Sequence, residues 1–385
     1  MKRVLIIEAQ IKQYRVPFYE RLYAALLDAG IELRVAYSDP SSIEARKKDT
    51  CDLPKEYGVK VNGYWVLPER LIFQAVFRQI ARADLVIVDQ GNKFVWNHFL
   101  LPLSQVGLMR VGFWGLGENR QAGRLWLSEW YRRKTLNWVS WWFAYTSGTA
   151  RYLIDNGVSS SKVTSVQNAV DTSEIRNYVQ SMSAEERSSI RNRLGIPASA
   201  PVGIFCGMLD KVKSVPFLID AAKLIQQRLP EFHLLLVGGG PEQEPIRSSI
   251  QDFSWIHLMG PRFGSQKSEL IAISDVFLMP GRVGLVILDA FAGGLPLLST
   301  RLSIHGPEME YLEEGVNGLL SEPDVSAFAA MVTSLLCDRE KLDRLRMGAR
   351  IAGAKYTIEK MAANFCNGIQ EWLGGPATLG VRGQA

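Results

Sequence analysis

The stretch from Ile273 to Ser299 limits what this chain can fold into more than any other part of it. The apolar run Val276 to Met279 ends in a Pro-Gly-x-x-Gly turn, a helical run follows from Leu285 to Ala292, and Gly-Gly-x-Pro opens a second apolar run. Strand, glycine turn, helix and strand in that order make a βαβ unit, and therefore a parallel sheet covered by helices. Glycines at the strand-to-helix turn let a ligand reach the backbone, and the unpaired amides that open the helix suit a phosphate. Asp289 breaks the apolar pattern about a turn into that helix. It either accepts hydrogen bonds from ribose hydroxyls or is an exposed carboxylate favoured by the helix dipole.

The chain has 385 residues, more than one ordinary core, so two domains are expected. With 47% hydrophobic and 22% charged residues, disorder on a large scale is excluded. A net charge of +5 from 44 basic and 39 acidic residues is too small to argue for nucleic acid. Four cysteines without a Cys-x-x-Cys pair, and four isolated histidines, offer no metal-ligand spacing and fit a reducing compartment. The N-terminus runs straight into a strand interrupted by Glu8, so neither a signal peptide nor a membrane span is expected there. The expectation is a cytoplasmic protein, or one peripheral to the inner face of a membrane.

In the first half, Val4 to Ile7 reads as the first strand of a parallel sheet, Phe18 to Ala29 as a helix, and Glu32 to Tyr37 as the next strand. The loop after the first strand lies at the carboxyl end of the sheet, where open α/β folds bind ligands. Lys12, Tyr14 and Arg15 are therefore ligand candidates; otherwise they form a solvated basic turn. Leu85 to Val88 and the run from Val111 to Trp114 are further strands, the second leading to Glu118, Asn119 and Arg120 on the same rim. Five of the ten tryptophans, at 126, 130, 138, 141 and 142, stand among Arg124, Arg132, Arg133 and Lys134. That pattern is either core packing of a domain helix or an interface with an anionic membrane. Asn168 and Asp171 follow another strand, and shape its exit turn or meet a ligand. The Pro/Ala/Gly stretch from Gly195 to Pro201 reads as a linker.

The second half opens with a strand at Val202 to Phe205 and Lys213 ahead of a helix, where an ammonium either meets a diphosphate or is simply exposed. His233 to Val237 flows into Gly238-Gly239-Gly240-Pro241. One glycine turn is weak evidence, but two on adjacent βα units of one sheet point to a nucleotide cradle.

The segments Gly207-x-Leu-x-x-x-Lys213, Leu236-Val-Gly-Gly-Gly-Pro241, Ser274-Asp-Val-Phe-Leu-Met-Pro-Gly, Gly284-x4-Asp289-Ala-x-Ala-x-Gly-x-Pro and Glu310-x4-Gly-x-x-Gly318 resemble, in order and spacing, those of glycosyltransferase family 4, retaining enzymes of GT-B architecture. Tyr14-Arg-Val-Pro-Phe-Tyr, Phe113-Trp-Gly-x-Gly, Asn168-x-x-Asp171 and His305-Gly-Pro-Glu resemble the bacterial branch that builds surface and exopolysaccharides. The resemblance implies an α/β fold of two Rossmann-like, doubly wound domains facing a cleft. The expected division is 1–183 for the acceptor, 184–354 for the nucleotide sugar, a returning helix over 355–373 and a flexible tail over 374–385.

The resemblance also implies the site. The donor, a nucleotide-diphosphate sugar, is expected at Gly207, Lys213, Gly238, Gly239, Gly240, Pro241, Gly281, Val283, Gly284, Leu285, Asp289 and Glu310. A glycan or lipid-linked acceptor is expected at Lys12, Tyr14, Arg15, Glu118 and Asn119, with Asn168, Asp171 and His305 lining the cleft and Lys213, Arg282 and Glu118 in the reaction itself. His305, with Glu308 and Glu310, falls beside the glycine loop, and contacts the ligand or serves the turn. Neither metal nor cofactor is expected. The chain departs from the family pattern at Met208, Gly281, Asp289 and Leu116, where many members have Arg, Glu, Glu and His. Those departures leave donor identity open, and with it two rivals: a sugar-nucleotide epimerase of the same fold and a catalytically impaired nucleotide-binding scaffold.

Overall fold

The computed structural model describes residues 1–46, 48–67, 70–117 and 126–374. The chain divides into two compact units, residues 1–170 with 358–385, and residues 171–357.

The first unit holds a seven-stranded parallel sheet. In chain order its strands are β1 (Lys2–Ile7), β2 (Ile31–Tyr37), β3 (Gly58–Lys60), β6 (Leu85–Asp89), β7 (Val111–Gly115), β8 (Trp141–Ala144) and β9 (Val163–Ser165), with a hairpin of β4 (Gly63–Val66) and β5 (Leu71–Gln74) inserted after β3. The spatial order is β3-β2-β1-β6-β7-β8-β9. Val4 to Ile7, Leu85 to Val88 and Trp141 to Ala144 are buried over their whole lengths, as strands covered on both faces must be. The last helix, Ile358–Leu373, belongs to this unit and packs on the helix Val16–Asp28. Met361, Phe365, Ile369 and Trp372 recur at helical spacing and are buried. Phe365 stacks on Phe143 with ring centroids 4.1 Å apart and meets Trp114 and Phe18 edge-on. Of the tryptophan-rich stretch, Trp141 and Trp142 are core strand residues and Trp138 packs against the core, while Trp130, Arg133 and Lys134 are exposed. Residues 118–125 and 375–385, which include Glu118, Asn119 and most of the expected tail, lie outside the described residues, as does the Arg132 side chain.

The second unit holds a six-stranded parallel sheet of β10 (Val202–Cys206), β11 (His233–Val237), β12 (Ile256–Gly260), β13 (Val276–Met279), β14 (Leu297–Thr300) and β15 (Gly318–Ser321), in the order β12-β11-β10-β13-β14-β15. The unit begins at Asp171, not near 184, and the stretch from Gly195 to Pro201 is not a linker. The reason is Arg191, a buried guanidinium that donates to the carbonyls of Ala198, Ala200 and Ile273 and pairs with Asp275. Asp275 also takes Arg187, so two guanidiniums tie this segment to the start of β13, and Arg346 of the helix Arg339–Lys355 joins them there. Ahead of it, Asp171 Oδ1 accepts from the backbone and hydroxyl of Ser173 and starts the helix Ser173–Ser181, which packs on the helix Gly264–Ala272. Among the described residues no helix is long and apolar enough to cross a membrane.

If the last helix is part of the first core, Phe365→Ala removes a fully buried ring and costs about 3–5 kcal/mol. Tryptophan fluorescence in a denaturant titration reads this unit, since the second contains only Trp255. A loss below about 1 kcal/mol would mean the helix is not integral to the core.

Candidate functional site

In the second unit the chain switches direction in the sheet between β10 and β13, and the loops leaving their carboxyl ends lie together. Three loops meet there backbone to backbone. A Cβ on Gly238 would stand 1.8 Å from the Gly207 carbonyl oxygen, and one on Gly281 would stand 2.3 Å from the Lys213 carbonyl carbon, so neither position admits a side chain. Leu209 N–H donates to Gly239 O at 3.0 Å, and Arg282 N–H donates to Val212 O at 3.0 Å. A Cβ on Gly284, by contrast, would meet open space, so this glycine leaves backbone accessible from outside.

Lys213 ends a 3-10 turn, Lys211–Lys213, capped by Asp210, whose Oδ1 accepts from Lys213 N–H at 3.0 Å. Its ammonium reaches across to donate to Arg282 O at 2.6 Å. Burial, with the Arg282 charge adding to it, holds the Lys213 ammonium below its ordinary range. A phosphate there would oppose both effects.

His305 has both ring nitrogens engaged within the protein. It is buried, its Nδ1 accepts from Val283 N–H at 3.0 Å, and its Nε2 lies 2.7 Å from Thr300 O, which assigns a neutral ring protonated on Nε2. Burial lowers its pKa, and the charges of Lys213 and Arg282 act in the same direction. Both ring nitrogens thus brace the 281–285 turn, and Val283, itself buried, spends its N–H on the same brace. Beside this turn the buried carboxylate is Glu308, which lies against Gly306; Glu310 is exposed. Asp289 is buried on the helix Val286–Ala292 and pairs with Lys267 at 3.0 Å. Although burial disfavours its charge, Lys267 is held above the ordinary lysine range by Asp289.

The first unit has its own pocket, of about 120 Å³, at the direction switch between β1 and β6. Glu8, just past β1, and Asp89, the last residue of β6, enter it with Arg15, Tyr19, Trp114 and Tyr145. Arg15 lies 4.7 Å over the Trp114 ring, donates to Asn168 Oδ1 at 2.9 Å, and is buried. Burial works against its charge, but the oxygens of Tyr14, Tyr145 and Tyr19 and the Glu8 carboxylate outweigh that. Burial, and then the charge of Asp89, push Glu8 up to about 7, against the Tyr19 hydroxyl that donates to it at 2.7 Å. Gln10 Oε1 and Trp114 Nε1, both buried, have no hydrogen-bond partner. They are one acceptor and one donor at the lining of the same pocket. Lys12 also lines it, but its ammonium is held by Glu44 at 2.6 Å and Asp49 at 2.7 Å. Asn168 serves Arg15, and Asp171 caps its helix.

Residues 200–338 match the family described as Glycosyl transferases group 1. The chain has the GT-B fold, and the part that matches the family lies within its second unit. It is similar to the sulfoquinovosyl transferase SQD2 of Arabidopsis thaliana, 30% identical over 160 residues that cover 40% of this chain and 30% of that one. It is 31% identical over 162 residues to the lipopolysaccharide core biosynthesis glycosyltransferase LpsE of Rhizobium meliloti, covering 40% of this chain and 45% of LpsE. The matched part therefore spans less than half the length of either relative. In structure it is similar to Anabaena Alr3699/HepE, solved in complex with UDP, with a TM-score of 0.69 and 17% identity over 96% of this chain and 100% of that one.

The structure brings Gly207, Lys213, Gly238 to Gly240, Gly281 and Arg282 together, and joins Val283 to His305 through the Val283 N–H. Lys267, Glu8, Asp89 and Trp114 are given no site role by the sequence. The available signal was a carboxylate at the end of each of two apolar strands; Lys267 stands among the polar residues of the helix Gly264–Ala272, where nothing local marks it.

Because Glu8 titrates near 4.5 when unfolded and near 7 when folded, the folded state binds the extra proton between these values. Stability from this group is complete below pH 4.5 and is lost as pH rises through 7. Thermal unfolding of wild type and Glu8→Gln should therefore diverge over that window, the variant gaining relative to wild type. Parallel pH profiles would contradict the burial of an ionisable Glu8.

Proposed function

We propose that the chain is a retaining glycosyltransferase that moves a sugar from a nucleotide-diphosphate sugar to a glycan or lipid-linked glycan in polysaccharide biosynthesis. The observation that carries this reading is the second unit's loop cluster: glycine backbone with no room for side chains, open space at Gly284, and the half-buried ammonium of Lys213. These are the requirements of a diphosphate seat. A UDP complex of HepE and the name of LpsE support the donor class and the glycan role.

In the transfer the glycosidic carbon–oxygen bond to the diphosphate breaks, and one forms from an acceptor hydroxyl on the same face of the sugar. The acceptor proton leaves with the diphosphate or to water. Lys213, the Arg282 guanidinium and the loop amides stabilise the negative charge left on the diphosphate. Asp289, fixed by Lys267, takes the ribose hydroxyls. The first unit's pocket takes the hydroxyl-bearing end of the acceptor: Gln10 Oε1 accepts, Trp114 Nε1 donates, and Glu8 and Asp89 supply carboxylate oxygens. The working place is the cytoplasmic face of a membrane, where a lipid-linked acceptor is held.

Lys213→Ala should weaken binding of the matching nucleoside diphosphate by about 1.5–3 kcal/mol, read by calorimetry after a screen of UDP, GDP and dTDP, with the melting temperature little changed. Unchanged affinity would remove Lys213 from the seat. Transfer should also survive EDTA, since among the described residues no three His, Cys, Asp or Glu side chains gather as metal ligands. Loss of turnover that a divalent ion restores would contradict metal-independent transfer.

A further inference from the structure

The outer side of the first unit carries an apolar surface that neither site uses. The hairpin of β4 and β5 alternates as a half-buried ribbon should, with Ile72 and Trp65 on the small inner cluster with Ala9 and Phe94. Its outward face is where polar residues belong, yet it holds Tyr64 paired with Phe73 and Val66 paired with Leu71. Leu67, just past β4, is 64% exposed. The rings continue onto neighbouring elements: Tyr64 meets Phe73 at 6.5 Å, Phe73 meets Trp96 at 5.9 Å, and Trp96 meets Phe77 at 6.4 Å and Phe99 at 6.2 Å. On the helix Val95–Gln105 and just past it, Trp96, Phe99, Leu103 and Val106 follow each other at three- and four-residue steps, one stripe along the helix. Its buried side is a different set, Asn97, Leu100 and Leu101. Phe77, Phe99 and Val106 are 71%, 59% and 66% exposed. A surface of this continuity marks an interaction site and not scattered apolar residues.

Charge decides the occupant. Arg70 borders the hairpin and Arg78 follows Phe77; both are exposed, and neither is in an ion pair among the described residues. Glu69, next to Arg70 in the chain, lies outside the described residues; among the described carboxylates Asp84 is taken by Lys2 and Asp89 belongs to the pocket. The helix Trp126–Thr135 adjoins this face, since His98 Nδ1 lies 3.2 Å from the Tyr131 hydroxyl, and that helix exposes Trp130, Arg133 and Lys134. Aromatic and aliphatic side chains bordered by exposed cations suit the headgroup layer of an anionic bilayer.

We propose that this face, formed by the strands Gly63–Val66 and Leu71–Gln74, Phe77 and the Trp96-Phe99-Leu103-Val106 stripe with Arg70 and Arg78 at its edge, docks the protein on an anionic lipid membrane. The assignment rests on the reading that the acceptor is lipid-linked. Its readout, vesicle binding without donor, can fail while transfer succeeds, or the reverse.

The test is co-sedimentation of the full chain with phosphatidylcholine vesicles carrying increasing phosphatidylglycerol, at low and high salt. Wild type should partition more strongly as the anionic fraction rises and less as salt rises. Phe77→Ser with Phe99→Ser should lower the partition coefficient by about tenfold or more on every vesicle. Arg70→Gln with Arg78→Gln should lower it about tenfold on anionic vesicles and little on phosphatidylcholine alone. Both variants should keep wild-type melting temperature and nucleotide binding, because the altered side chains are exposed, and Leu67→Ser gives a third, milder check of the same face. Wild-type partition by the aromatic variant, or no vesicle binding by wild type, would overturn the proposal. So would a dimer in analytical ultracentrifugation that the aromatic variant turns into a monomer, since the face would then bind a second copy of the chain.

Discussion

At Gly238 the second unit has no alternative residue: the place where a β-carbon would go is 1.8 Å from the Gly207 carbonyl oxygen. That contact brings the turn after β11 onto the turn after β10, and Gly281 does the same for the turn after β13 against Lys213. Three strand exits are thereby compressed into one patch of bare backbone, and the consequences follow in order. Lys213 is close enough to donate to Arg282 O, its ammonium is half-buried beside Arg282, and His305 is required on the far side to take up the Val283 N–H. A side chain at either glycine would push these loops apart and separate the lysine from the turn it serves.

The first unit solves a different problem at the corresponding place in its sheet. There the groups gathered at the strand exits are ionisable: two half-buried carboxylates that raise one another's cost, and a buried guanidinium laid on an indole. Such a cluster is expensive to maintain unless its members are paired or meet a ligand. Arg15 is paired through Asn168 and the aromatic rings, and Glu8 through Tyr19. Gln10 and Trp114 keep a buried acceptor and donor in reserve, which for a buried polar atom is an open cost until something polar enters.

Much of this was legible in the sequence. β-Branched runs marked the central strands of both sheets, and the Gly-Gly-Gly and Pro-Gly-x-x-Gly turns marked the loops that now lie together, because those signals are local. What escaped was whatever depends on which strands are neighbours. Glu8 and Asp89 are far apart in the chain and meet only because β6 lies beside β1, and Lys267 finds Asp289 only through the packing of two helices. The boundary between the units was misplaced for a related reason. Gly195 to Pro201 has a linker's composition, but Arg191 pins its carbonyls. Of the two roles open to His305, ligand contact or service to the turn, its hydrogen bonds, which spacing does not reveal, show the second.

The central claim is that the bare backbone of the second unit is the seat of a nucleoside diphosphate. Hydrogen–deuterium exchange of the full chain, with and without saturating UDP, GDP or dTDP, reads those amides directly. The account predicts that at least one nucleotide slows exchange at residues 207–214, 238–241 and 281–285 together, while the amides around Glu8, Arg15 and Trp114 exchange as before. Protection confined to the first unit, or no protection at those three loops with any of the nucleotides, would contradict it.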